Sequence, residues 1–301
     1  MIDISVIIIN YNVEEYIISC IESIYKNEPP KNSFEIIVVD NKSIDNSIKN
    51  IRSNFPDILI IENNQNYGFS TGVNQAAKKA KGNFLFILNP DTLFVEDSLS
   101  KLISFTKKKD NLGAIGPSLV TESGISQQSF WRRPTLLNTI LSIYHFDNLN
   151  FKKNYKYHDL KIMNVDSVSG GAFLISSKLF KSLNGFNTNL YWMEDIDLCY
   201  RAQKNGYINY FFPETKIVHF QGKSAEKNLV YSTSNQLISK IKFFKIHNSL
   251  IEVYILKAAM LVLSIVKIVL LSFLSPFKSK NRKKITGYAL VIYSIIFDFD
   301  N

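Results

Sequence analysis

Three carboxylates fall within four positions of the stretch YWMEDIDLCYR, Tyr191 to Arg201: Glu194, Asp195 and Asp197. Large apolar side chains flank them, Trp192 and Met193 before, Leu198 and Cys199 after. A carboxylate pressed into apolar surroundings holds its proton more tightly, which suits it to act as a base near neutral pH. Asp195 opens a helical pattern, where the helix dipole favours the anion. Neighbouring Glu194 and burial against Trp192 push the other way. Asp197 and Arg201 are four apart on the same helix, the spacing of an ion pair. Cys199 is expected to be buried and to carry no chemistry.

A second set of polar residues sits where apolar runs end. ISVIIIN (4–10) ends in Asn10, followed by Tyr11 and Asn12. FEIIVVD (34–40) ends in Asp40, followed by Asn41, Ser43 and Asp45. NFLFILN (83–89) ends in Asn89 and leads to Asp91. Ligands of an open parallel sheet bind beyond the carboxyl ends of its strands, so these residues converge on one rim if the strands are neighbours. Ser43 and Asp45 serve equally well as caps of helices and turns. Asp40 and Asp91 follow unbroken apolar runs directly, which favours a ligand role. No G-x-G-x-x-G follows the first run, and no Walker sequence exists, so glycine-rich backbone does not cradle a phosphate here. A divalent cation held by a carboxylate is the other way to neutralise one, and Asp91 is placed to hold it.

The elements that must position these residues alternate. Apolar runs at 4–10, 34–40, 58–62 and 83–89 are separated by helical patterns over 14–27, from Ser43, within 70–80 and near 96–108. Runs apolar throughout, alternating with helices, predict a parallel sheet covered on both faces. GAIGPSLV (113–120) adds a fifth strand; YINYFF (207–212) and KIVHF (216–220) read as two more.

Charge divides the chain. The net charge is +9, and residues 240–284 hold ten Lys or Arg against Glu252, so the rest sums to zero. This basic stretch interleaves with VYILKAAMLVLSIVKIVLLSFL (253–274) rather than with the polar and stacking residues of a nucleic-acid surface. It reads as a membrane-surface element. Basic residues flank the apolar run on both sides, which a single span would not place correctly, so helices lying in the interface are expected. The division predicted is 1–228 for the sheet domain and 229–301 for membrane association. Two cysteines at unrelated places and a start without a basic n-region predict a reducing compartment and no signal peptide.

SVIIINYN, IIVVDNKSIDNS, NQNYGFSTGVNQAAKKAKGNFLFILNPDT, SGGAFLISSKLFKSLNGFN, YWMEDIDLCYRAQKNGY and IVHFQGKS occur in that order. Together, over roughly 3–225, they resemble the family-two inverting glycosyltransferases of the GT-A fold, within them the rhamnosyltransferase-like branch. The resemblance implies a Rossmann-like, mostly parallel α/β sheet with helices on both faces. It implies that Asn10, Tyr11 and Asn12 line the nucleotide pocket, that Asp40 reads the base with Asn41 and Ser43 beside it, and that Gly68, Phe69 and Asn74 pass under the sugar nucleotide. Asp91 matches the last acid of the D-x-D metal motif, for Mg2+ or Mn2+, and His219 a histidine of the metal or diphosphate site. Asn89 stands where that motif has its first acid, which implies a less negative site with low metal affinity in the absence of nucleotide. Asp195 matches the catalytic base. Glu194 ranks behind it, orienting it or facing acceptor hydroxyls. Tyr191 and Trp192 are expected to wall the sugar pocket. Trp131, Arg132, Arg133 and Pro134 fit an acceptor diphosphate and fit a solvated loop equally.

The resemblance further implies a dTDP-sugar donor, rhamnose foremost, or a UDP-sugar. It implies a lipid-linked glycan acceptor and a place at the cytoplasmic face of the inner membrane, peripheral or monotopic. Two other classes stay open. A nucleotide-sugar-binding protein with a dead site would not need Asp91, Asp195 and His219 together. A sugar nucleotidyltransferase would carry a glycine-rich basic loop where this chain has NYNVEE.

Overall fold

β-branched runs with apolar side chains on both faces build the centre of the sheet. In β1 (Ile4–Asn10), Val6 and Ile8 point to one face and Ile7 and Ile9 to the other, and all are buried. The computed structural model describes residues 2–28, 33–144, 161–220, 229–274 and 279–297. β1, β2 (Phe34–Asp40), β3 (Leu59–Glu62) and β4 (Phe84–Leu88) alternate with α1 (Glu14–Asn27), α2 (Ser47–Asn54) and α3 (Phe69–Lys79). Then come β5 (Thr92–Phe94), α4 (Ser98–Thr106), β6 (Leu112–Val120), β7 (Phe130–Trp131) and α5 (Leu136–Ile143). β8 (Met163–Val165), β9 (Ser167–Val168), β10 (Ala172–Ser176), α6 (Ser177–Ser182), α7 (Glu194–Lys204) and β11 (Ile208–His219) follow. Three helices come last: α8 (Leu229–His247), α9 (Leu250–Leu274) and α10 (Ser279–Phe297).

The main sheet has the order β3-β2-β1-β4-β10-β6-β11-β5, with β8 also on β11. Neighbours among β1 to β4 are parallel, as are β6 and β11; β10 runs antiparallel to β4 and β6. One face packs on α1, α2 and α4 through Ile17, Ile21, Ile51, Leu99 and Leu102. The other packs on α3, α6 and α7 through Val73, Ala76, Leu179, Phe180 and Leu198.

Two boundaries differ from the sequence reading. The second helix starts at Ser47, not Ser43, because the Asp40 carboxylate accepts the Ser43 N–H and holds that segment as a turn. The expected strands at 207–212 and 216–220 are one strand, β11, whose pairing with β6 shifts register between Phe212 and Lys216. Pro213 lies in that interval, where a ladder bond is already lost.

The chain divides into two compact units. The first holds the sheet and its helices. The second holds α8 to α10 together with α5 and residues 189–193. Within it, Leu237, Ile241, Phe243 and Phe244 of α8 and Val253, Leu256, Met260 and Leu263 of α9 are buried. Tyr144 Oη donates to the Ala259 carbonyl at 2.8 Å. A Cβ at Gly287 of α10 would stand 2.8 Å from Thr233 Cβ of α8, so this crossing needs a glycine.

Candidate active site

Parallel pairing sets Asn10 opposite Asp40 at the ends of β1 and β2. Asn10 Nδ2 lies 2.7 Å from Asp40 Oδ1, 3.0 Å from Ser43 Oγ and 2.7 Å from Ser47 Oγ. Asn12 takes a left-handed conformation (φ 54°). That turns its N–H to Ser43 Oγ and its Oδ1 to the Ile44 N–H. Asn41 Nδ2 donates to the Gly68 carbonyl. Asn10, Asp40 and Asn41 are buried, while Tyr11 remains exposed. Asn10, Asn12, Asp40 and Ser43 therefore form one network, beside the Asn41 bond to the Gly68 loop. Gly68 (φ 83°) precedes α3, and Phe69 packs on Phe186. Asn74 uses both ends of its carboxamide on the Phe186 backbone, at 2.8 and 2.9 Å.

Antiparallel pairing of β5 with the end of β11 sets Thr92 opposite His219. The Phe220 N–H donates to the Asp91 carbonyl. Those bonds bring Asp91 Oδ1 within 3.5 Å of His219 Nε2, with both side chains about nine-tenths buried. Gln127 Nε2 donates to the His219 carbonyl at 2.7 Å. Among the described residues no group of three or more His, Cys, Asp or Glu side chains could hold a metal ion. A carboxylate oxygen and an imidazole nitrogen this close fit a divalent cation that takes its other ligands from outside the protein. Beneath Asp91, Cys20 Sγ lies 3.5 Å from Thr92 Oγ1, and burial pushes its thiol up to about 12, so it is inert.

α7 starts at Glu194, with Glu194, Asp195 and Asp197 in its first turn. Asp197 and Asp195 have different environments. Asp197 is buried and paired with Arg201 at 2.6 Å; Arg201 also donates to the carbonyls of Leu183 and Gly185. This is the structural pair that the spacing predicts. Asp195 is partly buried. Its Oδ2 accepts the Gly170 N–H at 2.7 Å and its Oδ1 the Ile196 N–H at 2.8 Å. Burial raises its pKa from 3.8 to about 6, against the lowering pull of those amides. Cys199 is buried, and its thiol is likewise pushed up to about 12 by burial.

The turn into β10 joins these groups. A Cβ at Gly170 would lie 3.2 Å from Asp195 Oδ2, and one at Gly171 3.5 Å from His219 Cε1. The Asn89 N–H donates to the Gly171 carbonyl at 2.9 Å. Two glycines thus separate the raised carboxylate from the Asp91–His219 pair. Their part was not read from the sequence, although a double glycine opening a buried strand was the available signal. Arg133 Nη2 donates to Tyr200 Oη and its N–H to Asp166. Arg132 and Trp131 are exposed. Trp192 is exposed, has φ 77°, and meets Tyr191 edge-on.

A mostly parallel sheet thus carries polar strand ends on one rim, an Asp–His pair and one raised carboxylate. Residues 5–182 match glycosyl transferase family 2, and the chain belongs to that family. It is similar to the N-acetylglucosaminyl-diphospho-decaprenol L-rhamnosyltransferase of Mycobacterium tuberculosis, 22% identical over 211 residues, 64% of this chain and 68% of that one. It is also similar to a dolichyl N-acetyl-alpha-D-glucosaminyl phosphate 3-beta-D-2,3-diacetamido-2,3-dideoxy-beta-D-glucuronosyltransferase of Methanococcus voltae, 30% identical over 125 residues, 38% of each chain. Among solved structures, the mannosyltransferase PcManGT of Pyrobaculum calidifontis in complex with GDP-Man and Mn2+ superposes with a TM-score of 0.59. The match has 16% identity and covers 99% of this chain and 88% of that one. S. aureus TarS 1-349 gives a TM-score of 0.55 at 20% identity, covering 99% and 92%. The fold is therefore GT-A, and the protein is a glycosyltransferase.

Proposed function

We propose that the protein is an inverting glycosyltransferase in which Asp195 is the base. The observation that carries this reading is a carboxylate with a pKa of about 6, fixed by the Gly170 amide, with Gly171 against the Asp91–His219 pair. In an inverting displacement one carboxylate takes the acceptor hydroxyl's proton while the hydroxyl oxygen bonds the anomeric carbon and the nucleoside diphosphate leaves. Inversion needs one such carboxylate, unlike the paired acids of hydrolases. At pH 7 Asp195 is mostly ionised and about a hundredfold more basic than an ordinary aspartate. Asp91 and His219 would hold Mg2+ or Mn2+, which when bound neutralises the departing diphosphate. Asp40, Asn10 and Asn41 hold the nucleotide, with Asp40 on the base.

The donor is a dTDP-sugar, rhamnose first, with UDP-sugars next. The acceptor is a polyprenyl-diphosphate-linked glycan at the cytoplasmic face of the membrane, in cell-surface polysaccharide or O-antigen assembly. The similarity to a rhamnosyltransferase named for a diphospho-decaprenol acceptor supports rhamnose and the polyprenyl-diphosphate acceptor, and the apolar, basic C-terminal helices support the membrane. The test is a panel of nucleotide sugars with Mg2+ or Mn2+ and a lipid-linked acceptor. Sugar-dependent release of a nucleoside diphosphate is expected. Release of pyrophosphate would instead identify a nucleotidyltransferase.

A further inference from the structure

α9 is long and apolar enough to cross a bilayer by length and composition, with a mean hydropathy of 2.3 over its most apolar window. Its two faces differ. Val253, Leu256, Met260 and Leu263 are buried. The opposite side exposes Ile251, Tyr254, Val262, Ile265, Val269 and Phe273. Apart from Ser272, every exposed side chain from Leu250 to Phe273 is apolar. Lys257 and Lys267 are half-buried and, at about 100° per residue, lie at least about 110° from the middle of that stripe.

We infer that α9 lies in the plane of an anionic bilayer surface, stripe down, and does not span. This deepens the membrane association proposed above. Three features support it. Lys257 and Lys267 are about 15 Å apart along the axis, so a centred span would hold both inside a hydrocarbon core of about 30 Å. In the plane neither has to enter the hydrocarbon, and a long stem can carry its ammonium to the headgroups. Basic residues stand at both ends of the helix, Lys245 before it and Lys280, Arg282 and Lys283 after it, which a single span would leave on opposite sides. The exposed Lys280, Arg282 and Lys283 match a negatively charged headgroup layer.

The test uses the full chain with vesicles of phosphatidylcholine, alone or with about 30% phosphatidylglycerol. Nitroxides are placed on Ile251→Cys, Val262→Cys and Phe273→Cys in turn; native Cys20 and Cys199 are buried. The expected result is three similar, shallow depths of about 5–10 Å. Binding should be at least about tenfold tighter with the anionic lipid, and Val262→Glu should weaken it at least about tenfold with unchanged circular dichroism. Should Val262→Glu not fold, Ile265→Glu, also at an exposed position, replaces it. A label at 262 deepest, with 251 and 273 at opposite surfaces, overturns the in-plane placement and leaves membrane association standing. Absence of vesicle binding overturns both, as does shielding of the labels in a lipid-free dimer.

Discussion

Asp195→Asn should inactivate the enzyme and stabilise the fold at the same time. The carboxylate has a pKa of about 6 in the folded chain against an ordinary 3.8. That difference of about two pH units corresponds to about 3 kcal/mol of cost in keeping the group ionised in its site. The asparagine side chain carries no charge and removes that cost. It has one acceptor where the carboxylate has two, so one of the bonds to Gly170 N–H or Ile196 N–H is lost. A lost bond of that kind takes back about 1–2 kcal/mol. A net gain of about 1–2 kcal/mol follows, or a few degrees in Tm for a domain of this size. The gain has a pH signature. Because the folded pKa lies above the unfolded one, the folded state binds the extra proton between about 4 and 6, and wild-type stability falls as pH rises through that window. The asparagine variant should be more stable than wild type at pH 7 and lose its advantage by about pH 4. Thermal unfolding of both proteins from pH 4 to 8, with turnover at pH 7.5, measures this. A turnover loss of about a hundredfold or more is expected. A variant equally active would move the base role to Glu194. A Tm difference independent of pH would refute the burial argument.

If Asp195 is the base, turnover of the wild type should fall about tenfold per pH unit below about 6, since the carboxylate accepts a proton only when ionised; a flat profile from pH 5 to 7 would contradict it. Gly170→Ala places a Cβ 3.2 Å from Asp195 Oδ2. It should push the carboxylate off its amide donor, lower kcat about tenfold, move the acid limb upward and leave donor KM unchanged. Arg201→Met leaves Asp197 buried without its guanidinium and should cost about 3–5 kcal/mol in chemical denaturation. If Asp91 and His219 alone among the described residues hold the cation, calorimetry of the nucleotide-free enzyme should show weak Mn2+ binding that strengthens when nucleoside diphosphate is present; tight binding without nucleotide would contradict it.

The centre of the fold was legible because its strands are apolar on both faces and each ends in a polar residue. Alternation placed β1 to β4, and Asn10 and Asp40 could be expected on one rim. The i,i+4 spacing gave the Asp197–Arg201 pair. Long-range pairing was not legible. Nothing local in NPDT or KIVHF states that Thr92 pairs with His219, yet this register is what sets Asp91 against the imidazole. The Gly170 and Gly171 contacts are backbone contacts to residues far along the chain, and side-chain patterns do not record them. The Ser43 start of α2 failed for a local reason: Asp40 and Asp45 hold 43–47 by side-chain-to-backbone bonds that compete with a helix. Arg133 stacks on Tyr200 at 4.5 Å, a contact that sequence did not suggest.

The most direct measurement is the anomeric configuration of the product, from the one-bond carbon–proton coupling of the newly transferred sugar, using a donor of known configuration. Asp195 acting as the single base, with the cation of Asp91 and His219 on the leaving diphosphate, predicts the opposite configuration in the product. It also predicts that formation stops with chelator and in Asp195→Asn. Retained configuration, or an unchanged rate with chelator present, would contradict it.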